Sequence, residues 1–151
     1  MGKIVNWRAL QEIAESAQSS GKKIVFTNGC FDIIHIGHIR YLREAKSLGD
    51  ILIIGMNSDI SVSRIKPKRP VNSQNHRAEV LSSLEMVDYV TLFDEETPYE
   101  LIKFLQPDIL VKGGDWKKED IIGSDVAKET YSLPYFEGIS TTKLIERIKK
   151  L

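Results

Sequence analysis

Apolar residues along this chain follow two alternating rhythms. Short continuous apolar runs at residues 24–27, 51–55, 87–92 and 109–111, with a weaker one at 132–136, are separated by stretches in which apolar residues recur at helical spacing. That alternation predicts βαβ units and a five-stranded parallel sheet. The run at 51–54 is apolar on both alternating sets, so helices must cover both faces of the sheet, giving an α/β fold of three layers, α/β/α. Before the first run, Trp7, Leu10, Ile13, Ala14 and Ala17 form one helical stripe ended by Ser20 and Gly21, so a helix leads the pattern.

Further helices are read from their stripes and punctuation. Ile39, Tyr41, Leu42, Ala45 and Leu48 repeat at helical spacing, as do Ala78, Leu81 and Leu84 within 75–84. Thr97, Pro98 and Glu100 predict a capping box with proline at the first helical position, followed by Leu101, Ile102 and Leu105 and ended by Pro107. Leu144, Ile145 and Ile148 mark a final helix. Residues 64–73, with Pro67, Pro70 and the cations Arg64, Lys66, Lys68 and Arg69, predict a mobile loop. No internal repeat or low-complexity tract interrupts the chain, which reads as one domain over 1–151, a helix in 1–21 followed by the α/β core at 22–151.

Composition narrows the function classes. A chain of 151 residues can bury about two thirds of its extended surface in one core. Its 21 basic and 21 acidic residues cancel, so no long-range field favours nucleic acid, and a small charged substrate fits better. Cys30 is the only cysteine, which excludes an internal disulfide and a cysteine-rich zinc site. No apolar run approaches the roughly 18 residues of a membrane span, and no signal-peptide core opens the chain. The expected location is the cytoplasm, with no membrane partner.

The chemistry begins at His35, Ile36, Gly37 and His38, between the first apolar run and the helix of Tyr41 and Leu42. A helix N-terminus carries unpaired N–H groups and about half a positive charge, which favour an anion. His35 and His38 stand three residues apart, on one face of a helical turn, and add two donors. Gly37 between them keeps that face open to a close approach. The plain alternative is a helix start with ordinary hydrogen-bonded histidines. Asn28, Gly29 and Phe31, in the turn just before, read either as a phosphate cradle or as a tight turn. Cys30 reads as a small buried filler; Asp32 could hold an imidazole or serve as a helix-start acid, and the structural role is the favoured one.

Three other places carry candidate chemistry. Ser140, Thr141 and Thr142 open the last helix with hydroxyls and no acid, which leaves that N-terminus free for an anion, although plain capping by Ser140 needs no ligand. Lys112, Gly113, Gly114, Asp115 and Trp116 follow the fourth run, where the paired glycines suit a flat base lying on bare backbone. Asp115 could touch ribose or metal, or cap a turn. The basic loop reads as a solvated surface run, Arg77 as an ion-pair partner on an amphipathic helix, and His76 as surface.

Residues 26–38, including TNGCFD and HIGH, resemble the nucleotidylyltransferase family that shares this signature with class I aminoacyl-tRNA synthetases. EGISTTKL at 137–144 resembles the family's second phosphate-binding motif. Within the family the chain is most similar to the heptose 1-phosphate adenylyltransferases, which carry TNGCFD, NSD, RAEVL, DEETP and KGGD in the same order, over roughly 23–150. The resemblance implies a Rossmann-like sheet and nucleotide contacts from Thr27, Asn28, Gly29, Cys30, Phe31, Gly37, Lys112, Gly113, Gly114, Asp115, Ser140, Thr141 and Thr142. It further implies a phosphate-proximal position for Arg77 and a catalytic trio of His35, His38 and Lys66, with Lys66 swinging over the phosphates. Related glycerol phosphate cytidylyltransferases have aspartate at Gly114 and arginine at Tyr135, so this chain favours adenine.

What the resemblance implies as chemistry is direct attack of a sugar 1-phosphate oxygen on the α-phosphorus of ATP, expelling pyrophosphate. Mg2+ would be held through the substrate phosphates and water rather than by protein ligands. Many relatives are fused to a sugar kinase, so this chain is expected to follow a separate kinase, and related enzymes often pair, which makes a homodimer the expectation. The competing readings are a CTP-dependent glycerol or alcohol phosphate cytidylyltransferase, a noncatalytic nucleotide-sensing module and a synthetase fragment. The paired histidines argue against a decayed site, and the short chain with no net charge argues against a tRNA binder.

Overall fold

The computed structural model describes residues 2–151. Its single parallel sheet has strands β1 (Lys3–Ile4), β2 (Ile24–Gly29), β3 (Ile51–Asn57), β4 (Tyr89–Phe93), β5 (Ile109–Gly113) and β6 (Glu129–Leu133), in the spatial order β1-β4-β3-β2-β5-β6. Six strands therefore replace the five expected. The added one, β1, has two exposed residues that pair with Tyr89 and Val90, and so short a strand leaves no alternation to read. β6 also lies three residues earlier than expected at its start and end, because Pro134 cannot donate to a ladder and closes the strand after Leu133.

The helices are α1 (Trp7–Ser19), α2 (Ile36–Ser47), α3 (Asp59–Ile65), α4 (Gln74–Ser82), α5 (Tyr99–Leu105) and α6 (Thr141–Lys149). α3 had no counterpart in the sequence pattern; Ser58 caps it by accepting from the Ser61 amide, and its last two residues, Arg64 and Ile65, take the first positions of the expected loop. The capping box at Thr97 does not form. α5 starts one residue late, with Pro98 at the cap and no side-chain cap bond, so Glu100 falls one position short of the reciprocal contact. Its other end closes as read, with Gln106 left-handed just before Pro107.

The continuous apolar strands feed two cores. Ile24, Phe26 and Ile53 point to one face, where Leu10 and Ala14 of α1 and Leu101, Ile102 and Leu105 of α5 bury them. Val25, Leu52, Ile54 and Met56 point to the other, against Leu42 and Ala45 of α2 and Ala78 and Leu81 of α4. Alternate residues of one strand thus enter opposite layers, which is why no polar set survives in 51–54.

The strand order reverses beside β2, with β3 on one flank and β5 on the other. A crevice for a ligand is expected at that point, beyond the strands' carboxyl ends. The registers open it. β2 pairs with β3 over its full length, Ile24 to Gly29, but with β5 only at Val25↔Ile109 and Phe26↔Leu110. From Thr27 onward the two strands part.

Candidate active site

The split between β2 and β5 is bridged by side chains. Thr27 Oγ1 donates to the Val111 carbonyl at 3.0 Å and lies 2.6 Å from the Tyr41 hydroxyl, which itself donates to Val111 at 3.2 Å. Thr27 is buried, so within the site it braces the crevice floor. Burial pushes the Tyr41 hydroxyl's pKa up and keeps it protonated. Tyr41 was read only as part of a core stripe. The available signal was the phenol itself, since a buried tyrosine needs a partner for its hydroxyl.

β2 leads through Cys30 into a strained turn. Phe31 is buried with φ of +49°, a backbone state that costs a bulky residue about 1–3 kcal/mol. Its ring lies over Gly29, where a β-carbon would come within 2.9 Å of it, and stands 5.5 Å from the His38 ring. The space above Gly29 is therefore taken by Phe31, and glycine is needed there for the ring before any ligand. Burial raises the Cys30 thiol's pKa even though Lys66 and Arg77 pull it down, which agrees with a filler side chain.

His35 caps α2 in an extended backbone state, and His38 is its third helical residue. The Gly37 amide donates to His35 Nδ1 at 3.1 Å, and the His35 amide donates to His38 Nδ1 at 3.2 Å. Both Nδ1 atoms are thus acceptors, so each neutral ring carries its proton on Nε2. The rings lie 3.9 Å apart between centroids. Burial lowers the pKa of both, and the charges of His35 and Lys66 help take His38 to about 4. Near pH 7 the pair therefore offers two neutral N–H donors. Gly37 has no room for a side chain: a β-carbon would meet the His35 ring at 2.9 Å.

The second phosphate-type motif comes to the same place. Ser140 caps α6 by accepting from the Lys143 amide at 3.1 Å, and Thr141 Oγ1 donates to the Ile33 carbonyl at 3.4 Å. Phe136 lies beside Gly37, 3.7 Å from where its β-carbon would be, and the Arg40 guanidinium sits 4.1 Å over the Phe136 ring. Residues more than a hundred positions apart thereby share one edge, with Thr142 exposed in the first turn of α6.

Other candidate residues divide by burial. Lys66 ends α3 and is exposed, with its charge felt at His38. Lys112, half-buried at the end of β5, has its pKa lowered by burial. Gly113 and Gly114 follow, with Asp115 exposed beyond them and Asn28 half-buried at the end of β2. Arg77 differs from its expected phosphate-facing position. It is 2% exposed, and its guanidinium donates to the carbonyls of Cys30, Asn57 and Asn72 and to Asp59 Oδ1, all at 2.7–2.9 Å. Its donors are turned inward, holding the turn before the histidines to the end of β3.

Asp32 was read as a helix-start acid, and its structural task is elsewhere. Its carboxylate accepts from the Val71 and Asn72 amides and from Arg69 Nε at 2.8–2.9 Å, so it clasps the basic loop to the histidine turn. Burial alone would raise its pKa, but those donors outweigh it and hold it below the usual value. A separate concavity of about 760 Å3 lies behind this turn, lined by Ile33, Ile34, His76, Val80 and Leu84 among others; His35 and His38 do not line it. Among the described residues, no group of three or more His, Cys, Asp and Glu side chains is arranged to hold a metal. No helix among them is long and apolar enough to cross a membrane.

An open parallel sheet with two helix starts facing its switch point defines a nucleotide-binding α/β protein of the Rossmann-like class. The cytidylyltransferase-like family profile matches residues 26–147, and the chain belongs to that family of nucleotidyltransferases. It is 54% identical over 147 residues to the bifunctional protein HldE of Nitratiruptor sp., covering 97% of this chain and 32% of that protein. The HldE protein of Helicobacter pylori is 56% identical over 142 residues, 93% of this chain and 31% of its own length. The chain thus spans about a third of the curated relatives it matches. Among solved structures, a lipopolysaccharide core biosynthesis protein from Thermoplasma volcanium superposes with a TM-score of 0.66 at 31% identity, covering 78% of this chain and 100% of its own. A pantoate-beta-alanine ligase from Francisella tularensis, solved with an ATP compound and beta-alanine, shares the fold with a TM-score of 0.63 at 16% identity, over 100% of this chain and 79% of its own.

Proposed function

We propose that this nucleotidyltransferase joins ATP to a sugar 1-phosphate, a heptose 1-phosphate, giving ADP-heptose and pyrophosphate. The observation that carries the reading is the proximity of the two helix starts: Thr141, opening α6, donates to the Ile33 carbonyl in the turn just before His35 and His38, and Phe136 lies beside Gly37. Two N-termini and two neutral donors make a receptor for a polyphosphate. The motif resemblance to heptose 1-phosphate adenylyltransferases supplies the acceptor, and the departure from the cytidylyltransferase pattern at Gly114 and Tyr135 supports adenine as the base.

In this reading a phosphate oxygen of the sugar forms a bond to the α-phosphorus while the bond to the bridging oxygen of the β-phosphate breaks, and that electron pair leaves with pyrophosphate. No side chain need act as a nucleophile. The protein contributes alignment of the two phosphates and donors for the charge that spreads over the equatorial oxygens. His35 and His38 donate without carrying a charge, and Lys66, clasped nearby through the Asp32 loop, adds a mobile cation. Mg2+ supplies further charge neutralisation when bound, through substrate oxygens and water. Soluble phosphorylated substrates of this kind suit a cytoplasmic enzyme.

The test is pyrophosphate release by the purified chain with ATP or CTP against heptose, hexose and polyol phosphates. Turnover of ATP with a heptose 1-phosphate is expected. Preference for CTP with a polyol phosphate would replace the reading by the cytidylyltransferase one, and tight ATP binding with no pyrophosphate from any acceptor would make the protein a sensor.

A further inference from the structure

β2 and β5 stop pairing through their backbones after Phe26↔Leu110, yet the next carbonyl of β5 is not left bare. The Val111 carbonyl meets two hydroxyls, Thr27 Oγ1 at 3.0 Å and Tyr41 Oη at 3.2 Å, and those two oxygens lie 2.6 Å apart. Its two lone pairs have room for both. Two hydroxyl protons serve three short contacts, so the three oxygens form one cluster. It joins β2, β5 and α2 at the point where the sheet opens.

Of the three residues only Tyr41 belongs to a helix. It stands three positions beyond His38 on α2, on the same face and about 4.5 Å further along the axis. Leu42 and Ala45 pack α2 onto the sheet through apolar contacts, which have no preferred direction. A hydrogen bond has one. A further polar tie of the helix, Lys46 to Asp88, lies at its opposite end. The Tyr41 hydroxyl therefore sets where the first turns of α2 rest against β5. Burial keeps it protonated, so it holds the helix and takes no proton from a substrate.

We infer that Tyr41 is a positioning residue, whose hydroxyl fixes the first turns of α2 across the crevice and so aims the Nε2–H donor of His38 at the reacting phosphates. The inference rests on the reading of His38 as a donor to the transferred phosphate and extends it to a residue that acts through it. Folding does not need this hydroxyl. Without it Thr27 still donates to Val111, and a phenylalanine ring fills the same space. Its loss leaves the helix packed but free to shift, and a misplacement of about 1 Å can cost on the order of a hundredfold in rate.

Pyrophosphate release from ATP and a heptose 1-phosphate by wild type, Tyr41→Phe, His38→Ala and the double variant tests this. Tyr41→Phe is expected to lower kcat about tenfold to a hundredfold, while KM for ATP and the melting temperature stay close to wild type. In the His38→Ala background the same change should cost about threefold at most, because the donor it aims is gone. Unchanged kcat in Tyr41→Phe, or its full loss repeated in the double variant, overturns the inference. A melting temperature that falls in step with turnover does the same, since the hydroxyl would then serve the fold. Near-normal turnover in His38→Ala, or an inactive wild type, defeats the functional reading and this inference with it. An impaired His38→Ala beside a normal Tyr41→Phe defeats the inference alone.

Discussion

The backbone amide of His35 donates to Nδ1 of His38 at 3.2 Å, so the first histidine of the helix start fixes the tautomer of the second. The Gly37 amide does the same for His35. Two backbone groups thereby aim two Nε2 protons outward without any carboxylate behind the rings. In the reaction proposed above, a neutral donor suits the binding of a polyphosphate and the release of a product diphosphate.

Removing either donor should be costly. His35→Ala and His38→Ala are each expected to lower the turnover number by about 10² to 10³, the usual consequence of losing a preorganised donor to developing charge. Pyrophosphate release at saturating substrates measures it, and near-normal turnover in either variant would remove the histidines from the mechanism.

The pair should also titrate unusually low. The folded pKa of His38, about 4, lies below the 6.5 of a free imidazole because burial disfavours its charged form, followed by the charges of His35 and Lys66. Acid therefore favours the unfolded chain, in which the ring takes up a proton more readily. The contribution of His38 to stability is whole above about pH 6.5 and is lost as pH falls toward 4. The His38 imidazole resonances followed by NMR should show a midpoint near 4, and a midpoint near 6.5 would refute the buried, neutral assignment.

Gly37→Ala tests the geometry by a single methyl. The new carbon would meet the His35 ring at 2.9 Å, so the imidazole must turn and give up the Gly37 amide. Turnover should fall at least tenfold while the melting temperature shifts little, since the ring is partly exposed. Full activity would show that the His35 orientation does not matter.

Arg77 should behave as a brace. Arg77→Met strands the carbonyls of Cys30, Asn57 and Asn72, each a loss of about 1–3 kcal/mol where the group stays dry. Denaturant unfolding is expected to show destabilisation of at least that size, with Arg77→Lys intermediate. A variant as stable as wild type but unable to bind ATP would return Arg77 to the phosphate-binding set.

Asp32→Asn should loosen the basic loop. It removes the charge that holds the Val71 and Asn72 amides and Arg69, and hydrogen exchange at those two amides is expected to quicken about tenfold. The Asp32 pKa is held below 3.8, so this clasp is complete above that value and is released as pH falls below it. Unchanged exchange would mean that other contacts order the loop.

What the sequence alone determined is local and repetitive. The apolar runs at 24–27, 51–55 and 109–111 became strands, and α1, α2, α4 and the core faces of α5 lie where periodicity put them, because a strand buried on both faces and an amphipathic helix each write their burial into neighbouring residues. The histidine turn was legible for the same reason, since helix start, spacing and glycine all fall within four residues. Tertiary structure decided the rest. Pairing of β1 with β4, the parting of β2 from β5 after Phe26, the inward turn of Arg77 and the reach of Asp32 to Val71 and Asn72 join residues dozens of positions apart. No local pattern encodes such contacts, because each depends on which surfaces the packed sheet brings within hydrogen-bond distance. The rings of Tyr135 and Trp116 at Gly113 and Gly114 are of the same kind: the glycines were visible in the chain, but the fold chose what stands against them.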